Sequence, residues 1–466
     1  MFDTICQMIP IDPDYSERAR RLEILRRVLD GKLYDVMAYE FQDERSSGGE
    51  YIPLRSRKPS VRYNLCRVVV EDSVSLLFGD AHFPTIESDD PAVTALCTKI
   101  VSDTRLTQVM TEAALRGSVG SVAILMRILE TKLYFTVLDT TYLTPRWDPM
   151  RPGVLLGVTE RYKVLGSDLV AQGYDISDPL ALHWFERSWD ATGEYWQVPY
   201  AVGQPKPDPA LDLSRSVEHR LGFVPIIWIK NLPGGDQTDG ACTFRPAVET
   251  SIEIDYQLSQ AGRGLKYSSD PTLLIKEPAM SGQEIIKGAG NALIVSEKGD
   301  ARLLEIGGTA AAAVIDYVRT LREFALESIH GNRSDASRLS AAASGRALEL
   351  MQQGLVWLAN NLRVSYGEAG ILPLMQMVLR AAQRIRLTIS NKPVLGISPE
   401  AQLSLKWPHW TTSTADDRLK DAQALSALAA ANQISRATAV RAVADTYHIV
   451  NPLAELAEIA RYEENK

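Results

Sequence analysis

Apolar residues in the first third of the chain recur at two spacings. Ala19, Leu22, Ile24, Leu25 and Val28 fall at helical intervals and predict a helix over 14–29. Leu65, Val68, Val69, Val74, Leu76 and Leu77 predict a second over 64–78. Asn64 is placed to cap it, and Gly79 to end it in the left-handed conformation. A third is expected over 104–116. Gly117 and Gly120 then interrupt the pattern before an apolar strand, 121–128, with 132–138 as its hairpin partner.

The middle third alternates at a period of two. Segments 158–164 and 182–188 read as strands, and 195–200 follows a turn at 190–193. The proline-rich, polar stretch 203–214 reads as a surface loop, and 223–229 as a short apolar strand. Pro233, Gly234, Gly235, Asp236 and Gly240 are the strongest punctuation in the chain and suggest a boundary.

Helices dominate after that boundary. One is expected over 245–268, about 36 Å long at 1.5 Å per residue, with Pro246 in its first turn. A compact insert follows, with strands at 272–276 and 293–296 and a turn at Gly299 and Asp300. A second helix covers 309–329, and a polar loop, HGNRSDASRLS, covers 330–340. A very long helix over 342–386 carries Gly354, Gly367, Gly370 and Pro373. Interior glycine and proline cost about 1 and 3 kcal/mol, so a kink or break is expected at 370–373. A strand at 403–407 precedes a helical, alanine-rich end from 416, split at 432–435 and at 451–452.

Composition narrows the class. The 466 residues are 45% hydrophobic and 23% charged, ordinary for globular domains, and long enough to bury a core without disulfides or metal. Fifty basic against 58 acidic residues leave a net charge of −8. That argues against a protein that coats nucleic acid, but not against one that encloses DNA and lets it slide. Residues 1–14 lack the pattern of a signal peptide, and no apolar run reaches 18 residues. Cys6, Cys66, Cys97 and Cys242 lie far apart and read as reduced. The six histidines show no helical metal spacing.

Catalytic motifs are mostly missing. Gly235–Gly240 is followed by Ala241 and Cys242, not by the lysine of a phosphate-binding loop. Gly288 and Gly290 begin a GxG that lacks its third glycine and precedes a strand. Neither a GxSxG elbow nor an HExxH pair occurs. The acid pairs Glu71/Asp72 and Asp89/Asp90 have no recognisable partner and read as solvated charge. For the loop 330–340, an ordinary helix connection is the simpler reading. The sharper one is a loop that holds Arg333 and Arg338 beside a polyanion, with Asp335 limiting the grip.

The order of the parts resembles the portal, or head–tail connector, proteins of tailed bacteriophages, in particular the siphophage type with a long wing. The likeness covers about residues 60–390. It is carried by Asn64–Leu65–Cys66–Arg67 continuing to Phe78–Gly79, by 112–124 with Gly117 and Gly120, and by YLTPRWD at 142–148. It continues in 223–229 with Asn231 and Gly240, and in Ser344–Gly345–Arg346–Ala347–Leu348. Segment 167–220 departs from the pattern and reads as a wing elaboration; the crown looks short.

The resemblance implies an α+β portal fold. Its parts would be a mixed α/β wing (1–244), stem helices at 245–268 and 309–329, and a small β-containing clip (269–308). A tunnel loop (330–340), a long kinked helix with wing return (341–415) and a helical crown (416–466) complete it. The implied protein is a non-enzymatic ring of about twelve subunits. It sits at one capsid vertex in the virion, after assembly in the host cytoplasm, and is the channel for DNA packaging and ejection. Its implied partners are further copies of itself, the terminase large subunit, the head–tail adaptor, the major capsid and scaffolding proteins, and double-stranded DNA. No cofactor, metal or membrane is implied. Asn332, Arg333, Ser334, Asp335, Ser337 and Arg338 would face the DNA, and Lys276, Glu277 and Lys287 would form the clip interface. About twelve copies at −8 put roughly −100 on the ring, which keeps contacts with DNA few and transient. The rival reading is a phage-derived α+β enzyme such as a nucleic-acid hydrolase.

Overall fold

The computed structural model describes residues 1–79, 82–269, 272–278, 295–304, 309–331, 353–410, 415–444, 449 and 452–464. The chain opens with helices α1 (Phe2–Met8), α2 (Glu17–Leu29) and α3 (Leu65–Phe78). The Ser16 hydroxyl accepts from the Ala19 N–H and starts α2. Asn64, itself left-handed at φ 47°, accepts from the Arg67 N–H and donates to the last carbonyl of α2, Leu29. One side chain therefore starts α3 and ties it to the helix before it. Gly79 ends α3 in an extended conformation (φ −60°), not the left-handed one expected. Glycine is needed there because a Cβ would lie 2.5 Å from the Ser75 carbonyl oxygen.

Strand β1 (Thr85–Ser88) and helix α4 (Pro91–Asp103) come next and are not among the elements expected above, although Val93, Leu96, Cys97 and Ile100 fall at helical intervals. Asp90 caps α4, and Pro91 occupies its first turn. Helix α5 (Leu106–Gly117) leads into β2 (Ser121–Leu129) and β3 (Lys132–Asp139), the expected hairpin. Then follow β4 (Leu143–Trp147), β5 (Leu155–Leu165), the short α6 (Gly166–Ala171), β6 (Leu182–Asp190), β7 (Gly193–Gln197), β8 (Tyr200–Ala201), β9 (Leu211–Glu218) and β10 (Ile226–Lys230). The expected loop 203–214 is shorter than its composition suggested. From Leu211 the chain pairs with β7, because Leu211 and Asp212 stand opposite Gln197 and Trp196.

Two antiparallel sheets result, ordered β10-β2-β3 and β4-β5-β6-β7-β9, with β8 on β6. Ser121–Met126 of β2 is buried on both faces. Val122, Ile124 and Met126 join the large core with α2, α3 and α5, while Ala123 and Leu125 join a second core with Val158, Trp189 and Trp228. A strand between two layers has no solvent face, so its sequence is continuously apolar rather than alternating.

The second half contains α7 (Val248–Ser269), preceded by a 3-10 turn at Arg245–Ala247, then the hairpin β11 (Thr272–Pro278) and β12 (Val295–Leu304), then α8 (Thr309–Ser328). Gly299 and Asp300 lie within β12 rather than in a turn, held by pairing such as Lys276 opposite Asp300. Beyond it run α9 (Gln353–Leu362), a π-helical stretch (Arg363–Ile371) and α10 (Leu372–Arg384). Of the kink or break expected at 370–373, a break does not occur. The wider π turns carry the chain through, and Pro373 falls in the first turn of α10, where proline is tolerated. Both glycines mark close packing. A Cβ on Gly370 would meet Ile229 at 2.8 Å, and one on Gly367 would meet Trp407 at 2.6 Å. The remaining elements are β13 (Thr388–Ile389), β14 (Lys392–Pro393), β15 (Leu403–Lys406), which pairs with β1, and helices α11 (Ala415–Ala430), α12 (Arg436–Ala444) and α13 (Pro452–Glu464).

Candidate functional site

Helices α7 and α8 form an antiparallel pair, because the start of one and the end of the other share a core. Ala247, Ile254 and Leu258 meet Ala325, Leu326 and Ile329, and Leu65 and Val69 of α3 complete the cluster. Burial decreases along α7 towards Leu265 and Lys266, and most of α8 before Ala325 is exposed or half-buried. The hairpin β11–β12 sits at that emergent end, and among the described residues its two strands form a sheet with each other only. The pair is anchored at its base by Asp255 of α7, which is buried. Its carboxylate accepts from the Tyr34 hydroxyl (2.9 Å) and from the Tyr63 N–H (2.8 Å). Burial is the main cause that pushes this carboxyl up to about 6, against the two hydrogen bonds and Arg62. One turn on, Ser259 accepts from the Val61 N–H.

The end of α8 has a specific geometry. The Gly331 N–H donates to the Leu326 carbonyl (2.8 Å) with His330 left-handed at φ 54°, a Schellman closure. Glycine usually takes the left-handed position. Here the glycine is displaced by one residue, because a Cβ on Gly331 would meet Val69 at 2.9 Å. The His330 ring packs against Trp357 of α9 at a tilt of 51°, centroids 4.3 Å apart, so the end of α8 and α9 are in contact.

Two polar clusters fasten the π stretch and α2 to the segment around the end of β10. Tyr366, in the π stretch, is fully buried and donates to the Asn231 side-chain oxygen (3.0 Å). The Asn231 amide donates to the Ala241 carbonyl and the Thr243 hydroxyl. Gly117 leaves room for the phenol, since a Cβ would stand 2.2 Å from its oxygen. In the second cluster, buried Asp239 receives both Nε and Nη2 of Arg18 and the Ser121 hydroxyl (2.6 Å). Neither cluster was apparent in the sequence. The available signal was Asn231 and Asp239 flanking the PGG punctuation, read there as a boundary; Leu232 and Ala241 instead bridge, and the segment is fastened to α2 and β2.

The expected DNA-facing residues Asn332, Arg333, Ser334, Asp335, Ser337 and Arg338 lie outside the described residues, as does Lys287. Lys276 is exposed on β11, and Glu277 follows it on the same strand. The acid pairs have ordinary roles where they are described: Glu71 pairs with Arg67, and Asp90 caps α4. Among the described residues no group of His, Cys, Asp and Glu could hold a metal, and no helix is long and apolar enough to cross a membrane. The four cysteines are free, and burial pushes Cys66 and Cys242 up to about 12, which leaves the thiols protonated and unreactive at neutral pH.

Residues 10–466 match the family described as "Phage portal protein, SPP1 Gp6-like". The chain belongs to the phage portal protein family. Among solved structures, a chain of the "Virion of native gene transfer agent (GTA) particle" is similar at 12% identity, with 81% of this chain and 87% of that chain covered and a TM-score of 0.35. No curated protein matches. Membership decides between the two readings of the sequence: this is a portal protein, a structural component of the virion that works as an oligomeric ring. The α+β fold of the portal chain follows the expectation.

Proposed function

We propose that this portal protein assembles into a ring of about twelve subunits at one capsid vertex, with double-stranded DNA passing through the axial channel during packaging and ejection. In this reading α7 and α8 are the stem, β11–β12 is the clip, 330–340 is the tunnel loop and α11–α13 form the crown. A separate terminase ATPase and a head–tail adaptor dock on the clip around Lys276, Glu277 and Lys287, so the chain itself needs no nucleotide-binding motif. The major capsid and scaffolding proteins contact the wing, and assembly takes place in the host cytoplasm. The observation that carries the reading is the hairpin at the emergent end of an anchored helix pair. Two strands alone cannot bury a core, so such a projection is built to pair with something outside its own chain. Negative-stain images of the purified protein test the assembly: rings of about twelve subunits are expected, and compact monomers or dimers would overturn it.

A further inference from the structure

Strand β10 is the outer strand of its sheet, with β2 on one side and, among the described residues, no strand on the other. Its free edge lines an open, largely apolar groove of about 880 Å³. The opposite wall is one face of the π stretch and α10, with Val364, Ala369, Pro373, Met377 and Arg380 at helical intervals. Val364 is 54% exposed. A strand edge facing a helix is a shape that takes an extended segment, which would satisfy the edge amides and carbonyls and cover the apolar floor. The charges at the groove are unbalanced. Asp236 and Asp239 are occupied by Arg21 and Arg18, whereas Lys230 and Arg380 are exposed and pair with no carboxylate among the described residues. The groove therefore selects an acidic occupant.

The same chain carries a segment of that character. Residues 44–52 form a small hairpin-like arm: Arg45 bridges Tyr51, the Ile52 N–H donates to the Glu44 carbonyl, and Gly49 turns the tip at φ 82°. Glu50 in the arm and Asp43 just before it pair with no cation among the described residues, against Arg45 in the arm, whereas Glu40 is held by Lys58 and Glu44 by Arg263. Tyr51 is 68% exposed. Arg57 holds the Tyr51 hydroxyl and Arg263 of α7 holds Glu44, so the arm is fixed to its own body and cannot fold back into its own groove. A closed ring of identical subunits needs two different surfaces that fit each other.

We infer that the groove beside β10 receives the 44–52 arm of a second copy of this chain, which makes it one of the contacts that close the ring. The inference rests on the ring reading, and the experiment separates the two. Full-length protein carrying Glu50→Cys and Val364→Cys is treated with a short bis-maleimide, with each single variant as control. A ladder of covalent oligomers in the double variant, well above either control, is expected. In parallel, Lys230→Glu with Arg380→Glu should lower the ring fraction at a fixed protein concentration about tenfold, and Asp43→Lys with Glu50→Lys on that background should restore much of it. Wild-type rings without a ladder in the double variant would overturn this contact and leave the ring intact. Wild-type protein that forms no rings would overturn both. If the charge-reversed protein loses its far-UV circular dichroism, the crosslinking result alone decides.

Discussion

Asp255, at the base of the helix pair, and Tyr366, in the π stretch, illustrate how single buried groups set local energetics. Burial favours the protonated carboxyl in the folded state, so the group's stabilising contribution is fully present below the unfolded value near 3.8 and is lost as pH rises through about 6. Asp255→Asn keeps an acceptor for the Tyr63 N–H and removes the charge. The variant should gain stability over wild type above pH 6, on the order of 1–3 kcal/mol, and lose that advantage by pH 4. Urea midpoints at the two pH values check this, and an equal difference at both would refute it. Gly117 and Tyr366 give a second test. Gly117→Ala should cost about 2–3 kcal/mol, because its methyl meets the phenol oxygen. Tyr366→Phe should cost about 1–2 kcal/mol through the orphaned Asn231 oxygen. The double variant should cost less than the sum, since each change removes the reason for the other's penalty.

At the scale of elements, the π stretch is where propensity and packing disagree. By helix propensity alone, Gly370→Ala should stabilise by about 1 kcal/mol. Because its Cβ would meet Ile229 of β10, we expect net destabilisation and a lower melting temperature, measured by thermal unfolding; a rise would show that the sheet moves to accept the methyl. The hairpin β11–β12 poses the complementary case, a formed element whose sheet holds no third strand among the described residues. In the assembled ring, neighbouring hairpins should pair strands between subunits. A structure of the ring with Thr272–Lys276 covered only by its own subunit would count against the clip assignment.

For the molecule as a whole, the governing quantity is charge. At −8 per chain the ring repels the DNA backbone, and binding should be weak, without sequence preference and weaker still at high salt. Within that field, Arg333 and Arg338 are the proposed contacts with phosphate. Replacing both by alanine should leave ring assembly unchanged and impair packaging or retention of DNA, read by DNase protection in a packaging assay. Normal packaging by the double variant would leave 330–340 as a helix connection and no more.

Much of the architecture was legible because period and punctuation are local properties. The helices at α2, α3, α5, α7 and α8 and the hairpin β2–β3 follow from the spacing of apolar residues and from caps such as Ser16 and Asn64. The short β1 and β15 were legible only in part, because a four-residue strand acquires its meaning from the partner across the sheet. Gly367 and Gly370 carry a breaker's signature in one dimension and a packing role in three; only the positions of Trp407 and Ile229 distinguish the two. Asn231 with Tyr366, and Arg18 with Asp239, are more than a hundred residues apart in sequence, so no spacing rule could have joined them. The order of the segments was enough for the resemblance to the phage portal family, to which the chain belongs. Which glycines are obligatory, which acids are buried and which groove is left unfilled were decided by tertiary structure, because each depends on distances between segments that the chain brings together only on folding.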